Sequence, residues 1–186
     1  MTDITAHLAN IVERVARAAE HARRPRDSVQ IVAISKQQPA SAIAEAYAAA
    51  GAVVIGADID AAAGAAVMGR IGGTSSFTTA DVSKVAECRG LVEQVVADHG
   101  RIDVVVNNAG VTKSLGFFDV TEADWDRIYS VNARGLFFLM QAAAESMRDR
   151  GEGGRIVNIA SIAGKEGNPN AVPYSRSEEH TSELQS

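Results

Sequence analysis

The chain has 186 residues, of which 46% are hydrophobic and 22% charged, a composition typical of one ordinary globular domain. Its formal net charge of −5 argues against nucleic-acid binding, and no apolar run is long enough to span a membrane. A single cysteine, Cys88, excludes an internal disulfide, and the first residues show no signal-peptide pattern. These features predict a cytoplasmic protein.

The apolar spacing between Ile4 and Ala19 predicts a first helix, and Val29–Ser35 predicts a buried strand. A second helix has Pro39 near its start and Gly51 at its end. Strands and helices then alternate: strands within 52–60, 74–83, 102–110 and 154–164, helices within 61–73, 84–100 and 121–151. This alternation predicts an α/β fold, a doubly wound parallel sheet with helices on both faces.

Asp58 ends the predicted strand "AVVIGADID". A carboxylate at such a strand end can accept hydrogen bonds from both hydroxyls of an adenosine ribose and repels a 2′-phosphate, which favours NAD over NADP. The alternative is that Asp58 or Asp60 simply caps the helix that follows.

Two further strands end in polar residues. "NNAG", Asn107–Gly110, forms a glycine turn that could approach a flat ligand or could be an ordinary turn. Ser161 ends the strand after it, and Tyr174 follows on the next segment. A serine hydroxyl and a tyrosine phenol can share one carbonyl oxygen, but a free phenol has a pKa of about 10 and needs a nearby cation to act as a base near neutral pH.

Together these residues resemble the short-chain dehydrogenase/reductase family over roughly residues 42–175. The resemblance implies a Rossmann-like fold and hydride transfer between a nicotinamide cofactor and a secondary alcohol or ketone. It also implies a homo-oligomer and no metal ion. Asn132, Ser161 and Tyr174 match the family's catalytic residues, and the matches to its cofactor contacts are Asp58, Asp81, Val82, Asn108, Ala109 and Gly110.

The family's catalytic lysine is missing, because the residue four positions after Tyr174 is Glu178. A carboxylate there would disfavour the ionised phenol by like-charge repulsion. Residues 176–186, "RSEEHTSELQS", resemble a translated sequencing adapter, with a natural polar tail as the alternative. We therefore predict an artefactual or disordered tail after a dehydrogenase domain, residues 46–175, that is truncated before its last strands.

The family's glycine-rich cofactor loop is also missing. Its three glycine positions fall on Ile34, Gln38 and Ala40, none of which is glycine. Such glycines normally let the backbone approach the pyrophosphate at a helix N-terminus.

Residues 1–45 instead resemble the start of the pyridoxal-phosphate homeostasis proteins, through a strand that ends in Ser-Lys-x-x-Pro at Ser35, Lys36 and Pro39. That resemblance implies a Schiff base between Lys36 and pyridoxal phosphate, whereas a lone lysine at a strand end is ordinarily a solvated side chain. The chain is thus interpreted as a chimera joined near residues 42–51. The leading prediction is an oxidoreductase that is inactive as written, and the alternatives are a pyridoxal-phosphate-binding protein and a non-functional chimeric fragment.

Overall fold

The computed structural model describes residues 40–183. The chain divides into two compact units, Met1–Val54 and Ile55–Ser186. Helix α1, Ala40–Ala49, belongs to the first unit, and Gly51 follows it with a left-handed φ of 87°, which confirms the predicted end of this helix. The predicted strand Val29–Ser35 and the candidate Lys36 lie outside the described residues.

The second unit alternates strands and helices, as predicted. Its strands are β1 (Ile55–Asp58), β2 (Ser76–Thr79), β3 (Val104–Asn107) and β4 (Arg155–Asn158). Its helices are α2 (Ala61–Ile71), α3 (Val85–His99), α4 (Glu122–Tyr129), α5 (Leu136–Arg150), α6 (Ala163–Glu166) and α7 (Val172–Glu183).

The described strands form two parallel pairs. β1 pairs with β2 and aligns Asp58 with Thr79, and β3 pairs with β4 and aligns Asn107 with Asn158. Parallel strands joined by helices confirm the Rossmann-like α/β class.

The sequence signals at the helix ends are confirmed. Asp60 caps α2, Gly100 ends α3 in a left-handed conformation, and Thr121 and Asp124 form the predicted capping box of α4. The predicted helical segment within 121–151 is two helices, α4 and α5, joined by a π-helical turn at Ser130–Gly135. Such turns are rare and are frequently found at functional sites.

Helices α3 and α5 pack against each other, and their buried residues include Cys88 and Val92 on α3 and Ala143 and Met147 on α5. The last residue of α5, Arg150, fixes that helix to the amino ends of β3 and β4. Its guanidinium donates to the carbonyl oxygens of Ile102 (2.8 Å) and Gly153 (2.7 Å). No helix within residues 40–183 is both long and apolar enough to cross a membrane.

Helix α7 includes residues 176–183, the first part of the segment predicted to be an artefactual or disordered tail. Ser177 and Glu178 in this part of the helix are buried. Helix α6 packs closely against α7 at Gly164, where an added Cβ would lie 2.6 Å from the main-chain carbon of Glu178. The segment is helical as far as Glu183, and an artefactual or disordered tail stays a prediction.

Candidate active site

The predicted site residues follow the carboxyl ends of the four described strands. Asp58 ends β1, Asp81 and Val82 follow β2, Asn108–Gly110 follows β3, and Ser161 follows β4. In open α/β sheets, ligands bind at the carboxyl ends of the strands. The fold thus places these candidates at the positions where a ligand would be bound.

Asp60, not Asp58, caps the helix that follows β1. The Asp60 carboxylate accepts the main-chain N–H of Ala63 at 2.9 Å. The Asp58 carboxylate accepts the N–H of Asp60 at 3.0 Å, and Asp58 is exposed at the strand end. The capping alternative therefore falls on Asp60 and not on Asp58.

The loop after β2, Asp81–Ser83, is held by a dense set of hydrogen bonds. Asp81 Oδ1 accepts from both the main-chain N–H of Ser83 (3.0 Å) and its hydroxyl (2.7 Å), and the Asp81 N–H donates to Glu87 Oε2 (2.7 Å). The Ser83 hydroxyl holds the pKa of Asp81 below its ordinary value. The hydrogen bond from Lys84 likewise lowers the pKa of Glu87. Both carboxyl groups therefore stay ionised and keep accepting these bonds near neutral pH.

Asn132 is 3% exposed, in the π-helical turn, and its amide fixes the segment that follows the Asn108–Gly110 turn. Its Oδ1 accepts the N–H of Val111 (2.8 Å), and its Nδ2 donates to the carbonyl of Val111 (3.0 Å). Nδ2 also donates to the hydroxyl of Ser177 on α7 (3.1 Å). The side chain therefore aligns main chain and helix, a positioning role.

Ser161 and Tyr174 lie on neighbouring segments. Ser161 is buried just before α6 and accepts the N–H of Ala163 (3.1 Å), while Tyr174 lies in the first turn of α7, which packs against α6. The Ser177 hydroxyl donates to the carbonyl of Tyr174 (2.8 Å). Asn132 is thus connected to the main chain of Tyr174 through Ser177.

Glu178 lies one helical turn after Tyr174, at the position where the family resemblance implies a lysine. It is 6% exposed, so the carboxyl group is enclosed by the packed helices. The helix is present at this position, and it carries an acid where the resemblance implies a cation.

The π-helical turn contacts the loops of both strand pairs. Arg134 Nη2 donates to the carbonyl of Ser83 at 2.9 Å, in the loop after β2. A Cβ added to Gly135 would lie 2.3 Å from the Val82 carbonyl oxygen. From the same turn Asn132 reaches the segment after β3. The loops after β2 and β3, which carry predicted cofactor contacts, therefore converge on one short turn.

Sequence reasoning quoted Asn107 only as the first residue of the glycine turn and assigned no role to Asn158. Both are buried, and Asn107 Nδ2 donates to Asn158 Oδ1 at 2.7 Å, which links the carboxyl ends of β3 and β4. The available signal was that both strands end in Val-Asn, as "VVVN" and "RIVN". It also missed Ser177, because that residue fell in the predicted tail.

The short chain dehydrogenase family model matches residues 40–182. A galactitol 2-dehydrogenase of Agrobacterium fabrum is 37% identical over 67% of this chain and 48% of its own length. A sorbitol dehydrogenase of Cereibacter sphaeroides is 37% identical over 68% of this chain and 49% of its own length. A human (3R)-3-hydroxyacyl-CoA dehydrogenase is 34% identical over 86% and 66%. The chain spans about half the length of the first two relatives and about two thirds of the third.

Proposed function

This chain belongs to the short-chain dehydrogenase family, and on that premise we propose that its site is built for hydride transfer between a nicotinamide dinucleotide and a small secondary alcohol or ketone. The observation that carries the proposal is the convergence of the strand-end loops on the π-helical turn. It brings the Asp81–Ser83 loop and the segment after Asn108–Gly110 to the same structural element.

The residues present fit the adenosine half of such a cofactor. Asp58 offers an exposed carboxylate at the end of β1, and Asp81 and Val82 belong to a loop whose shape is fixed by its own hydrogen bonds. A carboxylate in this place favours the free 2′-hydroxyl of NAD over the 2′-phosphate of NADP. Asn108, Ala109 and Gly110 would lie below the remainder of the cofactor.

When bound, the nicotinamide ring supplies the hydride acceptor or donor. Ser161 would orient the substrate oxygen, and Tyr174 would take up the hydroxyl proton during oxidation and return it during reduction. Asn132 would hold the segment after the glycine turn through Val111. The substrate would be a small molecule, since the relatives named above act on galactitol, sorbitol and a hydroxyacyl thioester by their names.

We further propose that the chain as written is inactive. Glu178 places a carboxyl group one turn from Tyr174, at the position where the family resemblance implies the lysine that assists proton transfer. The missing glycines at positions 34, 38 and 40 would also weaken the grip on a pyrophosphate. A cytoplasmic location and a homo-oligomeric state stay predictions. Pyridoxal-phosphate binding through Lys36, which lies outside the described residues, also stays a prediction.

The proposal is tested by titrating the purified full chain with NADH and NADPH and following nicotinamide fluorescence. We expect NADH to bind more tightly, and Asp58→Asn to abolish this preference by removing the charge. Asp60→Asn is the matched control, because asparagine retains the helix cap and the preference should persist. Binding of neither cofactor by a cooperatively melting protein would contradict the cofactor assignment. Turnover of NAD with a secondary alcohol by the unmodified chain would contradict its inactivity.

A further inference from the structure

We propose that Arg134 and Cys88 are positioning residues for the adenine end of the cofactor, and that the π-helical turn Ser130–Gly135 couples the Asp81–Ser83 loop to helix α7. The inference rests on the proposed function for the identity of the ligand. The coupling itself rests only on contacts between described residues, so the two can fail separately.

Two consecutive carbonyl groups of the loop are held from outside it. Arg134 donates to the Ser83 oxygen at 2.9 Å, and the Cys88 thiol lies 3.3 Å from the Val82 oxygen. Because a peptide unit is planar, fixing its carbonyl also fixes the direction of the N–H on its other side. The Arg134 and Cys88 contacts therefore set the orientation of the backbone that an adenine ring would meet.

Cys88 is suited to this position because it is fully buried and remains a thiol. Burial raises the pKa of its thiol, so the sulfur keeps its proton near neutral pH. A thiol is a weak donor, and its second neighbour is the Gly135 carbonyl at 3.7 Å. Cys88 thus lies between the loop and the π-helical turn and touches both.

Gly135 is the point of closest approach between the turn and the loop. An added Cβ would lie 2.3 Å from the Val82 oxygen and 3.0 Å from its carbonyl carbon, both main-chain atoms that cannot rotate away. The absence of a side chain lets the turn pack directly on the loop. A displacement of the loop would therefore press on or release the backbone of the turn.

The other end of the turn holds the catalytic side. Asn132 forms two hydrogen bonds with the main chain of Val111, and a third joins it to Ser177, whose hydroxyl bonds the Tyr174 carbonyl. Asn132 and Arg134 are two residues apart in one turn, so a shift that breaks the hydrogen bond of one also displaces the other. The geometry predicts that loosening the loop also loosens the Val111 and α7 contacts.

The coupling is tested by residue-resolved amide hydrogen exchange on the full chain. The reporters are the Ser83 N–H, bonded to Asp81, and the Val111 N–H, bonded to Asn132. In Arg134→Ala we expect exchange at both to speed up about 3- to 10-fold, the range of one net hydrogen bond. Arg89→Ala is the matched control, because Arg89 joins α3 to α5 through Gln141 without touching the loop.

Faster exchange at Ser83 with unchanged exchange at Val111 would overturn the coupling. Unchanged exchange at both, or the same change in Arg89→Ala, would overturn the positioning role itself. Cys88→Ala, which removes the thiol donor without adding bulk, provides a second variant and should speed exchange at Ser83 by a smaller factor.

The ligand assignment is tested separately with AMP, which carries the adenine end and no nicotinamide. We expect Arg134→Ala to raise the Kd for AMP about 3- to 10-fold and Arg89→Ala to leave it unchanged. Equal affinity in Arg134→Ala and the unmodified chain would overturn the role in adenine binding. If the unmodified chain binds no AMP while the two amides still respond together, the proposed function fails and the coupling stands.

Discussion

The Asp81–Ser83 loop and helix α7 both carry predicted site residues, but they are specified in different ways. The loop is held by its own side chains and by Arg134, so its shape and its chemistry depend on the same groups. Helix α7 is placed by Ser177 and by the close approach at Gly164, neither of which takes part in the proposed chemistry.

The difference teaches that a correct fold does not secure a correct site. Helix α7 needs only a small hydroxyl and a narrow backbone contact to pack, and the segment after Tyr174 meets both requirements. Position 178 lies within this packed interface, yet its buried side chain here is an acid. The position of α7 is thus consistent with the family, while its chemistry depends on a single side chain.

The largest expected effect comes from Glu178→Lys. A lysine one turn after Tyr174 would supply the cation that the proposed base requires, and we expect turnover of a secondary alcohol with saturating NAD to rise by about 100-fold or more, the lower range for general base catalysis. The measurement is the rate of NADH formation at pH 7 to 9. In this variant α7 would carry a cation at the position where the family resemblance implies a lysine.

Glu179→Lys is the matched control for that variant. Glu179 is exposed and pairs with Arg176 at 2.6 Å, so this substitution makes the same change of charge on the same helix outside the packed interface. Equal gains in both variants would show that net charge matters and the position does not. No gain in Glu178→Lys, with NAD bound, would refute the proposed reason for inactivity.

Gly135→Ala tests how closely the π-helical turn packs on the Asp81–Ser83 loop. The added methyl group would meet the Val82 main chain, so we expect the free energy of unfolding to fall by about 1–3 kcal/mol, as in overpacked cores. Gly90→Ala is the opposite case, because Gly90 lies within α3 with no neighbouring atom near its Cβ position. Alanine there should raise the free energy of unfolding by about 0.5–1 kcal/mol. Urea denaturation of both variants measures the contrast, and destabilisation by Gly90→Ala would contradict the steric explanation.

Two serines of α7 provide a smaller and sharper test. Ser177→Ala removes the hydroxyl that bonds both Asn132 and Tyr174, and should lower the free energy of unfolding by about 1–2 kcal/mol. Ser175 is also buried, but its hydroxyl has no hydrogen-bond partner among residues 40–183. Ser175→Ala should therefore be neutral or slightly stabilising. Equal losses in thermal unfolding would show that Ser177 does not anchor the helix.

The smallest effect is the acid response of the loop. Asp81 and Glu87 both have lowered pKa values, so their contribution to stability is fully present above the ordinary values of 3.8 and 4.5 and is lost as pH falls through the lowered ones. The amide resonances of Asp81 and Ser83 should shift with midpoints below those values in an NMR titration. Midpoints at or above them would mean that these hydrogen bonds are absent in solution.

The parts of the fold that could be predicted are those fixed by local chemistry. Gly51, Gly100 and the pair Thr121 and Asp124 mark helix ends because backbone conformation and capping act over a few residues. Asp58 could be placed at a strand end, but its separation from the capping role of Asp60 needed the coordinates.

The contacts that could not be predicted join residues far apart in the sequence. The Asn107–Asn158 bond depends on the register of two strands, and the Arg134–Ser83 contact depends on the π-helical turn, which no periodicity signalled. Ser177 was overlooked because a polar segment gives no sign that tertiary packing will bury it.

Helix α5 has a mechanical consequence through its two ends. Its amino end continues from the π-helical turn, which grips the loops at the carboxyl ends of the strands, and its carboxyl end is fixed by Arg150 to the amino ends of β3 and β4. A helix held at one end can change its tilt, whereas a helix held at both ends cannot shift without breaking one of these sets of hydrogen bonds. Over its 15 residues α5 therefore acts as a rigid brace of about 22 Å, and a load applied at the Arg150 end would be felt at Asn132.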